Sequence, residues 1–168
     1  MKIYFANALF SQAEINYNAQ LAAKIRQIDD AIDLYLPQEN ASINDKQAYA
    51  DSKMIAQADT AKLLNSDLMI AVLDGLSIDN GVASEIGVAY AKEIPIIGLY
   101  TDTRQQGADN HEKLQALTQI AENQFHYVNL YTTGLIKLNG TIVNNENDLL
   151  AAVAQLHLKF YSVLKITI

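Results

Sequence analysis

Hydrophobic residues along the chain follow two kinds of spacing. Short apolar runs rich in β-branched and aromatic residues predict strands, and apolar residues three or four positions apart predict amphipathic helices. The runs predict strands at residues 2–6, 34–36, 67–74, 94–100 and 125–131. The helical spacing predicts helices at about residues 12–32, 49–65, 81–92, 111–122 and 147–160.

The alternation of predicted strands and helices indicates the class of fold. Parallel strands need long crossover connections, which helices usually supply. Residues 67–74, DLMIAVLD, form an apolar run with polar ends, which is typical of a strand covered on both faces. We therefore expect an α/β fold: a single doubly wound domain over residues 1–168, with a parallel five-stranded sheet flanked by helices, Rossmann-like or flavodoxin-like.

Some segments are less regular. Residues 136–143, IKLNGTIV, contain the pair Asn139-Gly140, which suits a hairpin turn but also the end of a short helix that begins at Gly134. Residues 161–168 suit either a final strand or a packed tail. The polar residues 38–46 are predicted to form a loop.

Charge and composition exclude several classes of function. The chain has 12 basic and 19 acidic residues, a net charge of −7, and no run of Lys or Arg. A nucleic acid polymer needs a basic surface, so we expect no partner of that kind. The absence of cysteine excludes disulfides and a thiolate nucleophile and agrees with a reducing compartment.

Targeting and cofactor signals are also missing from the sequence. The N-terminal apolar run is interrupted at Asn7, unlike a signal peptide, and no run approaches the roughly 20 apolar residues of a membrane span. We expect a soluble, cytoplasmic protein with no membrane partner. His111, His126 and His157 lack ligand spacing, and no GxGxxG or P-loop pattern occurs, so we expect neither a metal nor an organic cofactor.

Acidic residues cluster after the third predicted strand. Asp74, Asp79 and Glu85 lie in one loop and the helix start that follows it. In an open parallel sheet, ligands bind beyond the carboxyl ends of the strands, where such loops gather. The helix dipole favours an ionised Glu85 by about 0.3–1 kcal/mol, which suits a nucleophile. A structural interpretation also fits, since Asp79 suits a turn or helix N-cap and Glu85 a solvated helix surface.

Several blocks of sequence resemble the nucleoside 2-deoxyribosyltransferase family. The similarity extends from Lys2 to about Tyr100. Its first block is the N-terminal strand and the aromatic residue after it, Ile3, Tyr4, Phe5, Ala6 and Phe10. The second block is Asp59, eight positions ahead of Asp67 in the pair Ser66-Asp67. The third block is Glu85, six positions after Asp79 and followed by Ile86, Gly87 and VAYA.

The resemblance implies an activity and a set of site residues. Glu85 would be a nucleophile that attacks C1′ of a 2′-deoxynucleoside and holds the sugar as an ester until a second base replaces the first. Asp59 and Asp79 would supply or orient the proton of the leaving base, and Asp79 could also bind a sugar hydroxyl. The residues expected to bind substrate are Tyr4, Phe10, Gly81, Ser84 and Asn129.

The resemblance also implies partners. The substrates would be a 2′-deoxynucleoside and a free nucleobase. The family completes each active site with residues from a neighbouring subunit, so we expect a homo-oligomer with shared sites, and Asn129 is our candidate for the shared residue. Base preference stays open, because Leu9 stands where some relatives have an aromatic residue.

Two other functions remain compatible with these residues. One is hydrolysis of 2′-deoxynucleoside 5′-monophosphates by a related class of enzymes that uses the same Glu. The other is a nucleoside or nucleotide sensor without turnover. Because Asp79 would repel a 5′-phosphate, we predict that free 2′-deoxynucleosides are preferred.

Overall fold

The computed structural model of the chain describes residues 1–44, 49–105, 109–120 and 128–166. The strands within these ranges are β1 (Lys2–Ala6), β2 (Asp33–Tyr35), β3 (Leu68–Val72), β4 (Ile96–Leu99) and β5 (Gly140–Val143). The α-helices are α1 (Gln12–Arg26), α2 (Ala41–Asn44), α3 (Ser52–Leu64), α4 (Asn80–Ala91), α5 (His111–Ala116), α6 (Leu130–Asn139) and α7 (Glu146–Ile166). Short 3₁₀ helices lie at Pro37–Glu39 and Thr103–Gln105.

The strands form one parallel sheet in the order β2-β1-β3-β4-β5. The predicted five-stranded α/β fold is therefore confirmed, and its order is the flavodoxin-like one. After β2 the chain crosses over β1 and continues on the other side, so the direction of winding reverses between β1 and β3. In folds of this kind the crevice at that reversal, beyond the carboxyl ends of the strands, is where ligands bind.

Helices cover both faces of the sheet, because successive side chains of each strand point to opposite faces. In β1, Ile3 and Phe5 belong to one buried cluster, and Tyr4 and Ala6 to the other. The first cluster, which we call the α1 face, includes residues of α1 and α7: Leu21, Ala22, Ile25, Leu149 and Val153. The second cluster, which we call the α4 face, includes residues of α3, α4 and α6: Leu63, Val82, Ile86, Ala89, Leu135 and Ile136.

The fifth strand is not where the sequence predicted it. The expected strand at 125–131 is wrong at Leu130 and Tyr131, which begin α6, while residues 125–127 lie outside the described ranges. The fifth strand is Gly140–Val143 instead. Gly140 passes so close to β4 that a Cβ there would lie 1.8 Å from the carbonyl oxygen of Ile96. The pair Asn139-Gly140 therefore ends a helix and starts a parallel strand, and the hairpin interpretation is wrong.

Other boundaries also differ. The predicted helix 12–32 ends at Arg26, although Ile32 beyond it is still buried against the α1 face. The predicted loop 38–46 contains a 3₁₀ helix and α2, and the helix predicted at 111–122 ends at Ala116. The strand or tail expected for residues 161–168 is absent from 161–166, where the final helix continues through Ile166, and residues 167–168 lie outside the described ranges. Among the described residues, no helix is long and apolar enough to cross a membrane.

Candidate active site

A cavity of about 220 Å³ opens on the α4 face at the carboxyl ends of β1, β2 and β3, and we call it the Glu85 cavity. Its lining residues are Ala6, Asn7, Leu9, Phe10, Pro37, Ile43, Ile55, Asp59, Asp79, Gly81, Val82 and Glu85. The cavity lies at the reversal of winding between β1 and β3, as expected for this fold. All three acids predicted to be catalytic lie in its wall.

Two of these acids, Asp79 and Glu85, lie at the start of helix α4. Asp79 is its N-cap residue, and the Asp79 carboxylate accepts a hydrogen bond from the backbone N–H of Val82 at 3.0 Å. Gly81 leaves room for that carboxylate, because a Cβ at this position would lie 2.9 Å from Oδ1 of Asp79. Glu85 follows on the next turn of the helix. The cap therefore fixes the helix start that carries Glu85 into the cavity wall.

Tyr4 holds Glu85 from within the sheet. The Tyr4 hydroxyl donates a hydrogen bond of 2.6 Å to Oε1 of Glu85, and the Tyr4 side chain is fully buried. Burial and the neighbouring Glu85 raise the pKa of Tyr4 far above its usual value, so the phenol keeps its proton and acts as the donor. Among the described residues, Tyr4 is the hydrogen-bond donor to the Glu85 carboxylate. Oε2 of Glu85 accepts no hydrogen bond from these residues.

Glu85 has an unusually high proton affinity for a carboxylate. Its pKa is raised from 4.5 to about 7, chiefly by burial, while the hydrogen bond from Tyr4 opposes the rise. The charges of Asp59 and Asp79 raise the pKa further. Perturbed acids in a cavity are typical of catalytic sites, since a group that titrates near neutrality can exchange roles between charged and neutral forms.

Asp59 is held by a second tyrosine. The Tyr35 hydroxyl donates a hydrogen bond of 3.0 Å to Oδ1 of Asp59, and Asn40 Nδ2 donates to the same hydroxyl oxygen at 2.9 Å. Burial raises the pKa of Asp59, and the bond from Tyr35 partly offsets that rise. The Tyr35 ring stacks on Tyr4 with centroids 5.5 Å apart, so the two tyrosines that hold the two acids pack against each other.

The residues predicted to bind substrate divide into two groups. Phe10 and Gly81 line the cavity, and the Phe10 side chain is 80% exposed. Tyr4 is buried behind Glu85, Ser84 donates its hydroxyl to the backbone oxygen of Asn80, and Asn129 caps α6 by accepting from the N–H of Tyr131. For these three residues the observed contacts are within the protein, and a contact with substrate stays a prediction.

Sequence reasoning did not identify Tyr35 or Asn40. The available signal was position: Tyr35 ends the short strand β2, so its side chain lies at the edge of the sheet where ligands bind. No pattern in the sequence joins Tyr35 to Asp59, which lies 24 positions later.

Within the described residues, no group of three or more His, Asp or Glu side chains could hold a metal ion.

Comparison with known proteins identifies the class. The family model described as nucleoside 2-deoxyribosyltransferase matches residues 3–141. The chain belongs to the nucleoside 2-deoxyribosyltransferase family, and the resemblance inferred from the sequence is confirmed. The match covers the strands and helices that build the Glu85 cavity. A comparison with curated protein sequences gave no significant match.

Solved structures add one near relative and two distant ones. A conserved protein from Enterococcus faecalis is 71% identical, with a TM-score of 0.87 over 92% of this chain and 97% of that one. A 2-deoxyribosyltransferase from Bacillus psychrosaccharolyticus is 16% identical, with a TM-score of 0.61 over 89% and 90% of the two chains. A CMP N-glycosidase from Clostridium botulinum is 18% identical, with a TM-score of 0.50 over 95% and 99%. At these low identities the last two structures show a shared fold.

Proposed function

We propose that the protein transfers 2-deoxyribose between the purine or pyrimidine bases of 2′-deoxynucleosides through an ester on Glu85. The observation that carries the proposal is the pair formed by Tyr4 and Glu85 in the wall of the cavity. The hydrogen bond occupies Oε1 and orients the carboxylate, which leaves Oε2 as the attacking atom. Family membership supports a nucleoside-directed enzyme of this kind.

The proposed reaction has two half-steps. Oε2 of Glu85 bonds to C1′ as the C1′–N bond breaks, and the electron pair of that bond leaves with the base. Asp59, whose pKa is raised, delivers a proton to the leaving base. A second base then attacks C1′ on the face that the first base left, gives its N–H proton back to Asp59 and breaks the ester, so that Glu85 returns to its ionised form. Exchange of this kind serves nucleoside salvage, and the lack of cysteine supports a cytoplasmic setting.

The start of α4 argues for a substrate with a free 5′-hydroxyl. A helix N-terminus is a natural phosphate site, but here the carboxylate of Asp79 already accepts the N–H of Val82. Among the described residues, those that line the Glu85 cavity include three acids and neither Lys nor Arg. Each pair of like charges about 4 Å apart costs roughly 4 kcal/mol at an effective dielectric near 20. Asp79 suits a sugar hydroxyl, which can donate to it.

Hydrolysis is the second candidate. The fold is shared with a structure named a CMP N-glycosidase, and water in place of the second base would turn the same Glu85 ester into free sugar. The negative charge of Asp79 would repel the phosphate of a nucleotide substrate. We therefore propose transfer as the main function and hydrolysis as the alternative.

We further propose that the active unit is a homo-oligomer with shared sites. Leu130 and Tyr131, at the start of α6, are 85% and 76% exposed, and Asn129 precedes them. Exposed apolar side chains of this size support a subunit contact there, which would carry Asn129 toward a neighbour's cavity. Sedimentation at assay concentration tests this: we expect a dimer or larger, and an active monomer would show that each site is complete within one chain.

One incubation separates the candidate functions. The protein is mixed with deoxyinosine and free adenine, and the products are resolved by chromatography. We expect deoxyadenosine and hypoxanthine. Hypoxanthine with free deoxyribose would support the hydrolase instead, and an unchanged mixture would contradict both and leave a binding protein without turnover.

A further inference from the structure

Asn40 and Tyr35 form a hydrogen-bond chain that ends on Asp59. We propose that this chain positions Asp59 and confines its transferable proton to Oδ2, so that Asn40 and Tyr35 are positioning residues for protonation of the leaving base. The proposal rests on the proposed function, since it concerns how Asp59 acts within the same cavity.

The orientation of the Asn40 amide is fixed by Ser42. Oδ1 of Asn40 accepts from the backbone N–H of Ser42 at 3.2 Å and from the Ser42 hydroxyl at 2.7 Å. A backbone N–H can only donate, so the atom that faces it must be the amide oxygen. Nδ2 of Asn40, which can only donate, therefore faces the Tyr35 hydroxyl 2.9 Å away.

The Tyr35 hydroxyl then has one direction left for its proton. Its oxygen accepts from Asn40, and its single hydrogen points to Oδ1 of Asp59 at 3.0 Å. Because Oδ1 is the acceptor of that bond, a proton on Asp59 belongs on Oδ2, since a proton on Oδ1 would face the tyrosine proton. Asp59 lines the Glu85 cavity, and Oδ2 takes no hydrogen bond from the described residues.

Two contacts hold the Tyr35 ring. It stacks on Tyr4, with an angle of 30° between the rings, and the ammonium group of Lys62 lies 5.3 Å from the ring centroid. These contacts do not involve the hydroxyl. Removing the hydroxyl alone therefore leaves the ring in place and tests the hydrogen-bond chain by itself.

The step that the chain serves is a proton transfer coupled to bond cleavage. Asp59 gives its Oδ2 proton to a nitrogen of the leaving base, and the electron pair of the C1′–N bond moves onto that base. Oε2 of Glu85 forms the new bond to C1′ at the same time. Tyr4 and Tyr35 thus serve different acids, one that attacks as the carboxylate and one that donates as the acid.

The kinetic test compares two leaving groups in native protein and in Tyr35→Phe. With deoxyinosine and adenine, we expect kcat to fall about 10- to 100-fold in the variant, with KM changed less than about threefold. The bond from Tyr35 lowers the pKa of Asp59, so its removal should move the limb of the pH profile that reports Asp59 to higher pH. With 4-nitrophenyl 2-deoxyriboside, whose phenolate needs little protonation, we expect a loss below about threefold.

The matched control is Tyr17→Phe, which removes a phenol hydroxyl from the α1 face and should leave both substrates within about twofold of native. Equal losses of Tyr35→Phe on both substrates, or no loss on deoxyinosine, would overturn the proposal. Asn40→Ala should show the same leaving-group pattern as Tyr35→Phe with a smaller loss, because the hydroxyl keeps its bond to Asp59 but is no longer confined to it.

A second measurement needs no turnover. Carboxyl-carbon NMR, with Asp59→Asn to assign the signal, follows the titration of Asp59 in native protein and in Tyr35→Phe. We expect the pKa of Asp59 to rise when the hydroxyl is removed, and an unchanged pKa would overturn the chain. A native protein inactive on both substrates would contradict the proposed function, while the NMR result would still decide whether Tyr35 controls the proton of Asp59.

Discussion

Asp74 and Glu85 lie near the same edge of the sheet, on opposite faces, and differ in what holds them. Both oxygens of Asp74 are used: Oδ1 accepts from the backbone N–H of Thr101 and Oδ2 from the Thr101 hydroxyl, each at 2.7 Å. Among the described residues, Glu85 accepts one hydrogen bond, from Tyr4, and it is buried beside two other acids. Asp74 joins the loops after β3 and β4, whereas Oε2 of Glu85 accepts no hydrogen bond from the described residues.

The size of the adjoining cavities does not separate these acids. The cavity beside Asp74, which includes Tyr17, Gly75 and Thr101 in its lining, has a volume of about 310 Å³, against about 220 Å³ for the Glu85 cavity. The difference lies in hydrogen bonding. An acid whose lone pairs are satisfied within the protein stabilises the fold, and one that is buried and under-satisfied is available to a substrate.

Removing the carboxylate of Glu85 should give the largest change in activity. We expect Glu85→Ala to lower base exchange by roughly 10⁴-fold or more, because the covalent route loses its nucleophile. The assay is conversion of deoxyinosine and adenine to deoxyadenosine. Glu112→Ala, at an exposed position on α5, is the matched control and should retain native activity. A folded Glu85→Ala protein with native activity would contradict the proposed mechanism through an ester on Glu85.

Exchanging Asp79 for serine should change substrate preference. Native protein should favour deoxyadenosine over its 5′-monophosphate by a factor on the order of 10² or more in kcat/KM, because the Asp79 carboxylate repels the phosphate. Asp79→Ser keeps an N-cap for α4 and removes the charge, so it should improve the monophosphate selectively. A native protein that prefers the monophosphate would contradict the proposed repulsion by Asp79 and would favour the hydrolase function.

The pH profile should reveal the Tyr4 hydrogen bond. In the proposed mechanism Glu85 attacks as the carboxylate, so kcat/KM of native protein should fall as the pH drops below about 7. The bond from Tyr4 favours the ionised form and lowers the pKa, so Tyr4→Phe should move this acidic limb to higher pH and reduce activity near pH 6 by about tenfold. An unmoved limb would show that another group controls the ionisation.

Changes at Asp74 should affect stability rather than activity. Asp74→Ala leaves the N–H of Thr101 without its partner, and we expect the free energy of unfolding in urea to fall by about 1–3 kcal/mol. Exchange activity should stay within about threefold of native. Asp74→Asn keeps an oxygen acceptor and should cost less. A large activity loss in a stable Asp74 variant would break the distinction between the two acids.

The sequence predicts the parts of the fold and site that depend on local pattern. The apolar run of β3 and the small-residue helix α4 follow directly from spacing, and so does the placement of Asp79 and Glu85 on one helix start. The contacts between Tyr4 and Glu85 cannot be read that way, because the two residues are 81 positions apart. They meet because β1 and β3 are neighbours in the sheet, and residue spacing alone does not specify that order.

The fifth strand shows how tertiary context overrides local propensity. The aromatic segment 125–131 looks more like a strand than Gly140–Val143 does, yet Leu130 and Tyr131 begin a helix. Gly140 sits against the backbone of Ile96 in a gap that admits no side chain, so this approach of β5 to β4 requires glycine. Such a contact leaves no periodic signal in the sequence.

The most direct test of the account is to trap the sugar on the protein. Native protein is mixed with a 2′-deoxynucleoside without an acceptor base, quenched in acid, digested and analysed by mass spectrometry. We predict one 2-deoxyribosyl group on the peptide that contains Glu85, and its loss when adenine is added before the quench. Exchange by the native protein with no adduct, or with the adduct on another acid such as Asp59, would contradict the assignment of Glu85 as nucleophile.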